Sequence, residues 1–172
     1  MGEGLLKKDY QRYINHKDMP RFQLYCRKVL TASNPLSRFW WRLCFRLAKE
    51  RNHIEMSYLT QIDGGLYIGH PYGITINHNA IIGRNVNIHK GVTIGRENRG
   101  KREGVPTIGN NVWIGINATI VGKITIGDDV LIAPNSFVNC DVPSLSVVFG
   151  NPCVIKHEDN ATAGYIENLA VF

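Results

Sequence analysis

No stretch of this 172-residue chain approaches the roughly 20 consecutive apolar residues that a membrane-spanning helix needs. Its first residues, MGEGLLKKDYQRY, lack the apolar centre of a signal peptide, and Leu6 breaks the myristoylation pattern, which needs Ser or Thr there. A cytoplasmic protein is expected. Cysteine is scarce: Cys26, Cys44, Cys140 and Cys153 show no CxxC spacing and no paired framework, which argues against zinc or a disulfide scaffold and for reduced thiols. Acidic residues are scarce only at the start. Residues 1–53 hold twelve Lys or Arg against four Asp or Glu, a balance of +8, whereas the remainder holds eight against ten. Such a basic stretch can meet anionic lipid or a phosphorylated ligand, but a solvated helix face is the simpler reading, and no nucleic-acid partner is expected. The length suits one well-packed domain with a small appendage.

Residues 1–53 read as a helical segment of two or three short helices. The last is expected from Pro35 to about Arg51, with Ser33 or Asn34 as N-cap and Pro35 in the first turn. It places Phe39, Leu43, Arg46 and Leu47 near one face, and packing of this amphipathic run, FWWRLCFRLAK, against the main domain is expected. Contact with a membrane surface through residues 38–49 is the alternative.

From Ile62 the helical period is gone. Aliphatic residues recur every six positions instead: Ile62, Ile68 and Ile74; Ile76, Ile82, Ile88 and Ile94; then Ile108, Ile114, Ile120, Ile126, Ile132 and Val138. Six fits neither a 3.6-residue helix nor a two-residue hairpin alternation as a unit, but it fits a coil of three short strands that each turn one aliphatic inward. Asn110-Asn111 and Asp128-Asp129 supply turn residues that tolerate left-handed backbone. The predicted fold is mainly β: a single-stranded left-handed parallel β-helix over residues 54–155, about 18 residues per coil, with the helical segment before it and a tail, 156–172, after it.

Two interruptions break the count. One follows Ile68-Gly-His-Pro-Tyr-Gly73, and the other is RENRGKREGVPT, a polar excursion between Ile94 and Ile108. Breaks in a regular scaffold are where function tends to sit. His70 lies in the first, and an imidazole near its ordinary pKa can take a proton from a hydroxyl at neutral pH. A histidine that merely caps a turn is the plain alternative.

The motifs GLYIGHPYGITIN, NVNIHKGVTIG, VPTIGNNVWIGINATIVGKITIGDDVLIAPNSFV and DVPSLSVVFGNPCVI resemble the serine acetyltransferase branch of the hexapeptide-repeat acyltransferases, including its relatives in surface-polysaccharide gene clusters. The resemblance implies that His70 is the general base and that Glu55, fifteen residues earlier, is the carboxylate that orients it. It implies backbone donors at Gly95 and Arg96 for the oxyanion. It implies acetyl-CoA as co-substrate in a groove between neighbouring prisms, touching Arg96, Ile116, Pro134, Asn139 and Lys156, and a homotrimer with the active site between subunits. By the same resemblance Asp9 is the remnant of a substrate-binding acid, and Lys101 and Arg102 are expected to serve an acceptor carboxylate from near the family's position for it. His89, about one coil beyond His70, is expected in the site wall or in a turn.

Two family features are missing. Serine-specific members carry Asp immediately before the catalytic histidine and an Arg-His pair before the proline that ends the extruded loop; this chain has Gly69 there, and Gly104-Val105 before Pro106. The expected acceptor is therefore a sugar hydroxyl of a capsule or O-antigen precursor, with L-serine, the reaction that feeds cysteine biosynthesis, as the alternative. A γ-class carbonic anhydrase on the same scaffold is disfavoured, because the six histidines contain no HxxxxH pair, and no metal is expected. The third reading is a non-catalytic β-helical spacer or binding module.

Overall fold

The structure is a computed structural model and describes residues 2–172. Three helices come first: α1 (Gly2–Gln11), α2 (Arg21–Thr31) and α3 (Pro35–Arg51). Four coils of three strands follow: β1 (Gln61–Ile62), β2 (Tyr67–Gly69) and β3 (Thr75–Ile76); β4 (Ile81–Ile82), β5 (Asn87–His89) and β6 (Thr93–Gly95); β7 (Thr107–Ile108), β8 (Val112–Ile114) and β9 (Thr119–Val121); β10 (Thr125–Ile126), β11 (Val130–Ile132) and β12 (Phe137–Val138). A fifth level adds β13 (Ser146–Phe149), against which β14 (Val154–His157) runs antiparallel.

Stacking makes three parallel faces: β1, β4, β7 and β10 on face 1; β2, β5, β8, β11 and β13 on face 2; β3, β6, β9 and β12 on face 3. The six-residue period is the cause. Ile82, Ile88, Ile94, Ile108, Ile114, Ile120, Ile126 and Ile132 all point into the prism and are at most 1% exposed. At the corners Asn111, Asn117, Asp129 and Asn135 take φ between 52 and 59°, the region that Asn and Asp tolerate best among residues with a Cβ. One corner is also laced by side chains, for the Asn110 N–H donates to Asp128 Oδ1 at 2.6 Å and the Asp128 N–H to Ser144 Oγ at 2.9 Å.

The interruptions become visible as register. Ile76 stands beside Ile94, eighteen residues on, but Ile62 stands beside Ile82 and Ile68 beside Ile88, each twenty residues on. The two extra residues therefore lie in the corner between β2 and β3, where His70 is. Likewise Ile94 stands beside Ile120, eight residues more than a regular coil, which the excursion after β6 accommodates.

The helical segment shares the core, since Phe22, Cys26, Val29 and Phe45 form one cluster with the prism isoleucines. Asn34 caps α3, its Oδ1 accepting the Ser37 N–H at 2.9 Å. Helix α3 packs against the main domain as expected, but not by the face named from the sequence: Phe39, Leu43 and Leu47 are exposed, and α3 docks through Phe45, with Trp41 and Ala48 half-buried. Rotation about the helix explains this, because Trp41 meets Tyr25 of α2 and Phe45 meets Tyr58 on the face opposite Phe39 and Leu43. No helix among the described residues is long and apolar enough to cross a membrane.

The expected boundary at 155 falls inside β14, and the residues after it fold back over face 2. Asn85 exchanges hydrogen bonds with the Ala170 backbone, Thr162 bonds Asp129, and Lys8 and Arg84 lie over the Phe172 ring at 4.1 and 5.0 Å. Cys140 and Cys153, unpaired by sequence spacing, face each other with their sulfurs 3.8 Å apart as free thiols.

Candidate active site

His70 follows β2 directly and turns the chain from face 2 to face 3 with φ of 55°. A Cβ-bearing residue there is strained, and the turn is held locally by the Tyr72 N–H to His70 O at 2.8 Å and the Gly73 N–H to Asn52 O at 3.0 Å. The imidazole is thereby carried outward on a two-residue bulge and is exposed. Glu55 occupies the rung beside Thr75 at the start of face 3, its N–H donating to Ile74 O at 2.8 Å and its carbonyl accepting from Ile76 at 2.7 Å. The structure thus brings Glu55 and His70 to one corner, but no ion pair within 4 Å joins them among the described residues.

Below His70 the same corner continues as Tyr72, Lys90, Ile116 and Pro134, tied by the Gly91 N–H to Tyr72 O, Asn117 N–H to Lys90 O and Asn135 N–H to Ile116 O bonds. Successive rungs are about 4.8 Å apart, so Ile116 and Pro134 line an edge that descends from His70. Gly95, Arg96 and Asn139 sit instead at the other edge of face 3, Gly95 ending β6, Arg96 following it and Asn139 following β12. Lys101 and Arg102 belong to the excursion beyond that far edge, which folds on itself through Glu97–Gly104 backbone bonds at 2.9 Å and an Arg96–Glu103 ion pair at 3.5 Å, and is tied to the next coil by the Lys123 N–H to Arg102 O bond. Within one chain, then, the predicted base and the predicted oxyanion donors stand at opposite edges of face 3. Lys156, on β14 against face 2, sets its ammonium 5.5 Å over the Phe149 ring.

The assignment of Asp9 to the acceptor is corrected. Its carboxylate is fully buried and already receives the Gly65 and Leu66 N–H groups, Gln23 Nε2, and the Arg27 guanidinium at 2.8 Å. Arg27 continues to Ile62 O and Asp63 O, and Tyr13 completes the network by donating to Gln23 Oε1 at 2.8 Å and accepting the Ile68 N–H at 2.9 Å. Asp9 ties α1 and α2 to the turn before β2 and has no lone pair turned to a ligand. Burial pushes the Arg12 guanidinium down to about 10; it stays charged at neutral pH and binds Gly65 O, Asn87 Oδ1 and Glu167 O.

A cavity of about 310 Å³ opens on face 2 beside this network, between the α1–α2 connection and the returning C-terminal residues. His89 lines it, together with Tyr67, Trp113, Tyr165, Asp18 and Glu167. The sequence reading included His89 but missed the others. Trp113 stands at an outward position of a repeat, a detectable signal; Asp18 and Tyr165 belong to segments without a period. No group of three or more His, Cys, Asp or Glu among the described residues has the geometry to hold a metal ion.

Comparison with known proteins places this architecture. Residues 106–140 match the family model described as bacterial transferase hexapeptide (six repeats). The chain is 37% identical over 116 residues to the serine acetyltransferase of Helicobacter pylori (strain ATCC 700392 / 26695), covering 66% of this chain and 68% of that one. This chain belongs to the serine acetyltransferase-like hexapeptide acyltransferases. Against the serine acetyltransferase of Staphylococcus xylosus this acetyltransferase shows 40% identity over 125 residues, spanning 72% of itself and 57% of that enzyme. Its structure superposes on Neisseria gonorrhoeae serine acetyltransferase, solved with serine, with a TM-score of 0.65 and 27% identity over 90% of this chain and 67% of that one. The Brucella abortus serine acetyltransferase, 24% identical over 93% of this chain and 70% of that one, shares its fold with a TM-score of 0.75.

Proposed function

We propose that this acetyltransferase carries the acetyl group of acetyl-CoA to the hydroxyl of L-serine, with His70 as general base. The observation that carries the reading is His70 itself: an imidazole presented on the single two-residue bulge of an otherwise regular corner, with Glu55 on the adjoining rung. Serine is favoured over a sugar by the relatives named above. In the reaction His70 takes the proton as the serine oxygen attacks the thioester carbonyl; the C–S bond then breaks, and the proton passes to the departing CoA sulfur. Glu55 reaches the imidazole through its exposed side chain once ligand is bound, orienting the ring. The Gly95–Arg96 turn supplies oxyanion donors from a neighbouring chain, because the two edges of face 3 meet only between prisms. The reading therefore requires a homotrimer, with the pantetheine arm along the Ile116–Pro134 edge and Arg96, Asn139 and Lys156 toward the nucleotide.

One structural feature favours a second reading. Gly69 offers no carboxylate to a substrate ammonium, and the face 2 cavity beside it has three aromatic walls, Tyr67, Trp113 and Tyr165. A sugar ring fits those walls by laying the C–H face of the ring against an aromatic side chain. CoA thiol release measured with L-serine, and separately with nucleotide-linked sugars, decides between the two. Turnover is expected with serine; turnover with sugars alone would select the second reading. No release with any acceptor would return the chain to a spacer.

A further inference from the structure

His89 lies one rung below Gly69, the residue that leads into the His70 corner. Gly69 directly precedes His70 and faces outward on face 2, in register with His89. A Cβ added at Gly69 would come 2.6 Å from His89 Cδ2 and 2.8 Å from His89 Nε2, so the space beside residue 69 belongs to the His89 ring. That ring is fixed. Its Nδ1 stands 2.9 Å from Ile114 O, its centroid 4.7 Å from that of Trp113. A carbonyl oxygen only accepts, so Nδ1 carries the proton and, in the neutral ring, Nε2 keeps a bare lone pair. Burial, and more weakly the neighbouring His70, lower the pKa of His89 and keep it neutral. Nε2 has no hydrogen-bond partner among the described residues, and the ring borders the 310 Å³ cavity, at the small end of ligand-sized pockets.

We infer that His89 Nε2 receives the acceptor in this cavity, accepting a hydrogen bond from a second donor group on it while the reacting hydroxyl lies at His70. The inference rests on the reading of His70 as base. It defines the acceptor class as an alcohol bearing a further N–H or O–H donor. A neutral imidazole adds no net charge, so it takes an ammonium or a hydroxyl alike.

The test uses the full chain and three probes: L-serine, L-glycerate, in which a hydroxyl replaces the ammonium, and 3-hydroxypropionate, which lacks that donor. Wild-type protein is expected to use serine and glycerate with kcat/KM within about tenfold of each other, and 3-hydroxypropionate less well. His89→Ala should raise KM for serine and glycerate about tenfold, leaving kcat and the KM for acetyl-CoA near wild type and 3-hydroxypropionate unaffected. His89→Gln, which restores an acceptor atom, should recover part of the loss. Gly69→Ala should reproduce the His89→Ala pattern by displacing the ring. Unchanged KM in His89→Ala, or equal losses for all three probes, overturns the inference. If only a sugar is turned over, the serine reading fails alone, and the same KM comparison on that sugar judges His89. If nothing is turned over, binding decides: a change in Trp113 fluorescence with serine or glycerate, absent in Trp113→Phe and His89→Ala, upholds the inference, and no change with either overturns it.

Discussion

Asp9 shows how much a single buried carboxylate can do without touching substrate. Both of its oxygens are engaged, and its Arg27 partner is only 4% exposed. Removing one member of a buried pair leaves the other charge uncompensated, at a cost of about 3–5 kcal/mol. Asp9→Ala is accordingly expected to lower the urea midpoint steeply while the surviving folded fraction keeps its KM for the acceptor; a raised KM at unchanged stability would restore Asp9 to the substrate. His89 governs a different observable. Its pKa is lowered below 6.5 by burial, so between that value and 6.5 the unfolded chain binds more protons than the folded one. The stability associated with the neutral ring is complete above pH 6.5 and is lost as pH falls below it. Denaturation midpoints from pH 7.5 down to 5 should therefore drop more for wild type than for His89→Gln, and parallel curves would contradict this account of the ring.

At the scale of elements, what the sequence disclosed is what repeats. The isoleucine column was legible because each six-residue step turns another aliphatic inward, and the His70 bulge was legible as a missed step. The contacts of the C-terminal return were not, because they join residues far apart and obey no period: Asn85 meets Ala170 across 85 residues and Arg12 meets Glu167 across 155. Helix α3 illustrates the same limit. Its span and cap were readable from Asn34 and Pro35, but its amphipathic pattern did not say which side meets the prism, since aromatic residues lie on both. The structure selects Phe45, 4% exposed, over Leu43, 40% exposed. Phe45→Ala should cost about 3–5 kcal/mol, whereas Leu43→Ala should stay within about 0.5 kcal/mol of wild type. Chemical denaturation of the two variants checks this, and the reverse order would mean that α3 docks by its other side.

Taken whole, the molecule divides its labour between edges. Face 3 has the His70 corner along one edge and the Gly95–Arg96 turn with its folded excursion along the other, so the proposed base and the proposed oxyanion donors stand apart within one chain. On the proposed reading, side-by-side association of prisms would unite the two edges, so assembly and catalysis stand or fall together. The most direct test is CoA thiol release from acetyl-CoA and L-serine by wild type and His70→Ala, with sedimentation of both proteins. A general base contributes about 10²–10⁴-fold, so His70→Ala should lose activity on that scale while sedimenting, like wild type, as a trimer. Activity within tenfold of wild type, or a wild-type protein that is active as a monomer, would contradict the account.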